Sequence, residues 1–190
     1  LAEEPGDEGI HRELERIAAS LDRMPRLLEV YEERLNEIYD MVLARTLHLK
    51  VARMAEELLQ DDARAEEHYR AVLDNDGDDG ETLAALDRVL QAREKWDDLV
   101  DVLERRIMAE ASPGAQATLY LRLGQVQLER NDDLERAFGA FRDALERDPD
   151  SGDARDAMEK LVANETYRPQ ALDVLEPIYE EAGEFPKVLD

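Results

Sequence analysis

The sequence has 190 residues, of which 43% are hydrophobic, 38% charged and 5% aromatic. Its 48 acidic residues against 24 basic ones leave a net charge of −24, which repels phosphate backbones and anionic lipid and argues against nucleic-acid binding. With no cysteine, disulfides, zinc–thiolate sites and cysteine nucleophiles are excluded, and no stretch approaches the ~18 consecutive apolar residues that span a membrane.

The chain aligns with itself without a gap at a shift of 72 residues. Glu13–Leu35 falls over Ala85–Ile107, Arg45–Leu86 over Ala117–Met158, and a third copy begins at Gly152. Such a period is the mark of stacked supersecondary units, and each block divides again into two helix pairs. The first pair, 8–39, starts its second helix near Met24-Pro25. Glu37–Ala44 then lacks any breaker where the later copy has Ser112-Pro113-Gly114, so either a short break falls near Tyr39–Met41 or two helices fuse. The next pair closes at Asp76-Gly77-Asp78-Asp79, and 80–112 follows. In Ala117–Asp150 the apolar stripe Leu119, Leu123, Val126 precedes Ala137, Phe141, Ala144 and Leu145, with Asn131–Asp133 between. Asp148-Pro149-Asp150-Ser151 ends that pair, since proline stops a helix and Asp or Ser caps the next. The last pair is 152–183. At the termini, Pro5 aligns with Gly77 and Pro149, and Phe185-Pro186 with Met24-Pro25, so 1–190 reads as one solenoid domain cut from a longer array.

Tyr120, Leu123-Gly124, Ala137, Phe141, Ala144 and Pro149 resemble the signature of the tetratricopeptide-repeat (TPR) family, with one extra residue in the inter-helix loop. His48, Val51-Ala52, Ala65, Tyr69, Ala71/Val72 and Gly77 match more loosely. The alternating units put Leu14, Leu86 and Met158 at the family's Leu position but Glu15, Asp87 and Glu159 at its Gly position. The resemblance implies an all-α fold, a right-handed α-solenoid of about five stacked antiparallel hairpins. It also implies a protein-binding scaffold, not an enzyme, whose first helices line a concave groove.

On that family pattern the groove residues are Arg16, Arg53, Arg88, Gln125 and Lys160, spaced 37, 35, 37 and 35 residues apart, with Leu49, Leu121 and Ala84 as an apolar floor. Four cations at five such positions, in a chain this acidic, suggest a ladder for a peptide bearing carboxylates. The competing interpretation pairs them with acids of the next hairpin, Asp87 and Glu159 helping. The family's carboxylate clamp is not reproduced, because Leu49 and Leu121 stand where it needs polar residues.

No cofactor, catalytic or metal site is legible. His11 and His48 share the packing position of Leu83 and Tyr120, and His68 falls opposite Ala140. The run Asp74–Glu81 has Asp79 and Ala85 where a calcium loop needs its sixth-position Gly and twelfth-position Glu. Its place in the repeat is an inter-helix turn. The expected partner is therefore a protein or peptide, and the alternative is a structural spacer or self-association module. Only four of the basic residues are Lys, which points to a GC-rich bacterial source. The chain reads as cytoplasmic, with its oligomeric state left open.

Overall fold

The computed structural model describes residues 7–183, and the described chain is built of helices. It divides into two compact units, Leu1–Lys95 and Trp96–Asp190. The first contains α1 (Glu8–Ser20), α2 (Met24–Leu35), α3 (Met41–Met54), α4 (Asp62–Asp76) and α5 (Gly80–Ala92). The second contains α6 (Trp96–Ala109), α7 (Pro113–Glu129), α8 (Leu134–Arg147), α9 (Gly152–Val162) and α10 (Arg168–Ala182). Within each unit, every helix packs on the next in sequence. This is the helix-hairpin repeat expected. The alignments of Pro5 and Phe185-Pro186 lie outside the described residues.

The open question at Tyr39–Met41 resolves as a break. α2 ends at Leu35, and Asp40 caps α3 by accepting from the amides of Val42 and Leu43 at 2.9 and 3.1 Å. No Gly or Pro is required, because one N-cap carboxylate satisfies amides that a helix start leaves without partners.

The 72-residue repeat is written into the backbone. Asp7, Asp79 and Ser151 cap α1, α5 and α9, each by accepting from an amide two or three residues on. Asp61 and Asp133 do the same for Arg64 and Arg136 at the starts of α4 and α8. Left-handed non-glycine residues recur at the same shift: Asp22 and Glu94, both at φ 54°, then Gln60 at 54° and Asp132 at 53°. At Asp22 and Glu94 the amide of the next residue reaches back five positions, Arg23 to Ala18 and Lys95 to Leu90, closing the helix as glycine usually does. Before Gln60, α3 widens into a π-helical turn over Ala55–Leu59.

Each unit has its own core. In the first, Leu28, Tyr31, Leu47, Val51, Tyr69, Val72, Leu83, Leu86 and Leu90 are nearly or fully inaccessible. In the second, Ala137, Phe141, Ala144 and Leu145 of α8 close on Ala154, Met158 and Leu161 of α9 and on Leu175 and Tyr179 of α10. Small residues at Ala137, Ala144 and Ala154 let these helices approach closely, and the aromatic rings fill the remaining gaps.

Candidate interaction surface

In the first unit the predicted groove positions lie on α1, α3 and α5, and Arg16, Arg53 and Arg88 are all exposed. None of the three is isolated. Arg16 is held by Glu13 of its own helix, at 2.9 and 2.7 Å. Arg53 reaches Glu81 of α5 at 3.7 Å, with both side chains more than half exposed. Arg88 donates Nε and Nη2 to Glu56 Oε1 at 3.2 and 3.1 Å, and Nη1 to the Ala84 carbonyl.

Glu56 is the anchored member of this set. Its other oxygen accepts from the Tyr69 hydroxyl at 2.7 Å, and its side chain is only 17% exposed. Burial, reinforced by Glu56, pushes the Tyr69 hydroxyl well above its ordinary pKa, so Tyr69 is a neutral donor at physiological pH. Two further pairs cross between first helices: Lys50 to Glu15 at 2.6 Å joins α3 to α1, and Arg45 to Asp79 at 3.1 Å joins α3 to the α5 cap. Half-buried Leu49 lines a small cavity of about 70 Å³ with Arg45, Arg53, Tyr69 and Glu81.

In the second unit Gln125 of α7 and Lys160 of α9 are exposed, and neither forms an ion pair among the described residues. Leu121 is half-buried and packs against the core of that unit, so it serves the fold as well as any surface. Of the two acids expected to help pair the cations, Asp87 is buried on α5 and Glu159 accepts from the Tyr179 hydroxyl. The acids that meet Arg53 and Arg88 are instead Glu81 and Glu56. With so many acids in the chain, no sequence signal singles these two out.

The histidines occupy packing places. His11 is buried against Tyr31, with ring centroids 5.2 Å apart. His48 and His68 face each other through their Nδ1 atoms at 2.8 Å, and His68 Nε2 meets Glu32 at 3.2 Å. Among the described residues no group of three or more His, Asp or Glu is arranged to hold a metal. The run at Asp74–Glu81 closes α4 and opens α5, with Gly77 left-handed at φ 65° and Asp79 as the cap. No described helix is long and apolar enough to cross a membrane.

No protein-family model matches the chain, and no curated protein matches it either. Solved structures do. The chain is similar to MamA, a TPR-containing protein, at 15% identity over 90% of this chain and 95% of that one, with a TM-score of 0.54. It is similar to the MamA RS-1 ArsTM double mutant at 17% identity over 96% of this chain and 97% of that one, with a TM-score of 0.52. At such identities the likeness is one of fold, and that fold is the TPR-like helix-hairpin repeat.

Proposed function

We propose that this chain is a non-catalytic scaffold that binds a partner protein or peptide through exposed positions of its first helices. The observation that carries the reading is the state of the cations there. The ion pair of Arg53 with Glu81 is long, at 3.7 Å, with both side chains open to water, and Lys160 is without an ion pair among the described residues. Exposed pairs of this kind contribute roughly 0–1 kcal/mol, so the carboxylate of an incoming peptide can replace Glu81 at little cost. Arg88 is different. Its fork on Glu56, itself fixed by Tyr69, serves as a rigid cationic edge beside the exchangeable Arg53.

The spacer reading has its own support. Lys50–Glu15, Arg45–Asp79 and Arg88–Glu56 tie neighbouring first helices together, which a purely structural array would also need. The two readings separate in one experiment. The protein and an Arg53→Glu, Arg88→Glu, Lys160→Glu variant of equal helicity are used to capture partners from a bacterial lysate, and the captured protein is titrated against both. Loss of binding in the variant supports the ladder. Equal binding removes the ladder, and an empty capture on both favours the spacer.

A further inference from the structure

Shifted by 72 residues, a closed cluster in the first unit falls on an open cleft in the second. In the first unit, Glu32 of α2 accepts from Arg64 Nε of α4 at 3.0 Å and meets His68 Nε2 of α4 at 3.2 Å. His48 of α3 completes the cluster through its Nδ1 contact to His68. Because Glu32 is an acceptor, the proton of neutral His68 sits on Nε2, so its Nδ1 accepts from His48 Nδ1–H. The His68 ring is buried, only 6% exposed, and it is the piece that fills the space between α2, α3 and α4.

The second unit keeps the frame and omits the filling. Glu104 stands for Glu32, Arg136 for Arg64 and Tyr120 for His48, but Ala140 stands for His68 and Gly139 for Glu67. These same residues line a cleft of about 530 Å³ between α6, α7 and α8. Arg136 does not cross it: its ion pair is with Asp133, at 3.7 Å, and not with Glu104. The floor is apolar, from Ile107, Leu123 and Ala140, and Met108 stands at the rim with 74% of its surface exposed.

We propose that this cleft binds a histidine side chain presented by a partner protein, seated where the first unit carries His68. Three features select that occupant. The cleft lacks one imidazole relative to its repeat partner, while the floor that backs such a ring is present. Glu104 supplies the carboxylate acceptor, and Tyr120 carries a hydroxyl donor in place of the His48 N–H. Glu104 and Asp143 line the cleft against the single Arg136, which disfavours an anionic side chain, and Asp143 is already shared with Arg142 at 2.8 Å. The cleft involves α6 and α8 as well as α7, so it is a surface separate from Gln125 and Lys160 and does not depend on the ladder.

The test is an NMR titration of the whole protein with N-acetyl-histidine amide at about pH 7.5, where the imidazole is mostly neutral. The expected result is saturable shifts at Gly139, Ala140 and Leu123, with a dissociation constant on the order of 1 mM for a ligand of this size. Ala140→His, which closes the cleft from within, should weaken the probe about tenfold or more, and Glu104→Gln should weaken it severalfold. His68→Ala should open the matching place in the first unit and produce a second set of shifts there, at Val51 and Glu67. The proposal is overturned if the wild-type protein gives no saturable shift, or if neither Ala140→His nor Glu104→Gln weakens it. Tighter binding of N-acetyl-arginine amide would overturn the choice of histidine. If Ala140→His loses its helical circular dichroism, Glu104→Gln, at an exposed position, decides alone.

Discussion

Gly124 of α7 lies against the ring of Phe141 of α8, and a Cβ built on the glycine would stand 2.5 Å from Phe141 Cδ1. Real Cβ atoms do not approach so closely, so the ring and the glycine specify each other. In the first unit the same two places hold Ala52 and Tyr69, both buried, which shows that the hairpin can carry a methyl there once its partner ring is set for it. Gly124→Ala should therefore destabilise the second unit by about 1–2 kcal/mol, the overpacking outweighing the gain of roughly 1 kcal/mol that alanine brings to a helix. Thermal unfolding of Gly124→Ala, Phe141→Leu and the double variant measures this. A double variant no more stable than the sum of the singles would sink the claim that the two positions are coupled.

Asp79 carries two tasks. Its carboxylate accepts from the Thr82 amide at 2.9 Å and from the Thr82 hydroxyl, and it pairs with Arg45. The Thr82 hydroxyl bond is the main cause holding its carboxyl below the ordinary value. Asp79→Ala should cost about 1–2 kcal/mol and Asp133→Ala, a plainer cap, about 1 kcal/mol. Urea unfolding of both variants checks the order. The Asp79 contribution is present above the unfolded carboxyl pKa and is lost as pH falls through the lowered folded value.

Glu66 is buried on α4 and gathers three cations. Arg93 lies at 2.5 Å, Lys95 at 2.8 Å and Arg70 at 3.1 Å, so the residues just after α5 are tied back to α4. Burial raises the carboxyl pKa, but the Lys95 hydrogen bond and the neighbouring cations outweigh it and leave the group below its ordinary value. The cations are 29–42% exposed, so Glu66→Ala should cost about 1–3 kcal/mol, less than a fully buried pair would. The loss should shrink at high salt. An unchanged loss would mean that packing, not charge, is what Glu66 supplies.

His48 gives the first unit a pH dependence of known sign. Burial, then the neighbouring His68, lowers its pKa against an opposing pull from Glu67. In the unfolded chain the imidazole takes up its proton near pH 6.5, before the folded one does. Stability should therefore be intact above about pH 6.5 and decline as pH falls toward the lowered folded value. His48→Gln keeps a donor toward His68 and does not titrate. Urea midpoints at about pH 7.5 and about pH 5.5 should differ more for the wild-type protein than for this variant, and equal differences would remove His48 as the cause.

The sequence by itself determined the all-helical class, the 72-residue period and most of the turn positions. These are local properties: the apolar spacing, a carboxylate or hydroxyl at each N-cap, and a proline at a helix start are read from neighbours along the chain. It also placed Arg16, Arg53, Arg88, Gln125 and Lys160 on exposed helix positions, because a register repeats whatever the packing. Tertiary structure alone decided what those positions meet. That Arg88 is fixed by Glu56, itself held by Tyr69, while Arg53 reaches Glu81 at 3.7 Å, depends on side chains 13–32 residues apart. An alignment of the repeat copies exposes the exchange of His68 for Ala140, but only packing shows that it changes a filled contact into a cleft. The reason is physical. Period and capping act over a few residues, whereas the place of a charge or a void is set by helices that the chain brings together from far along its length.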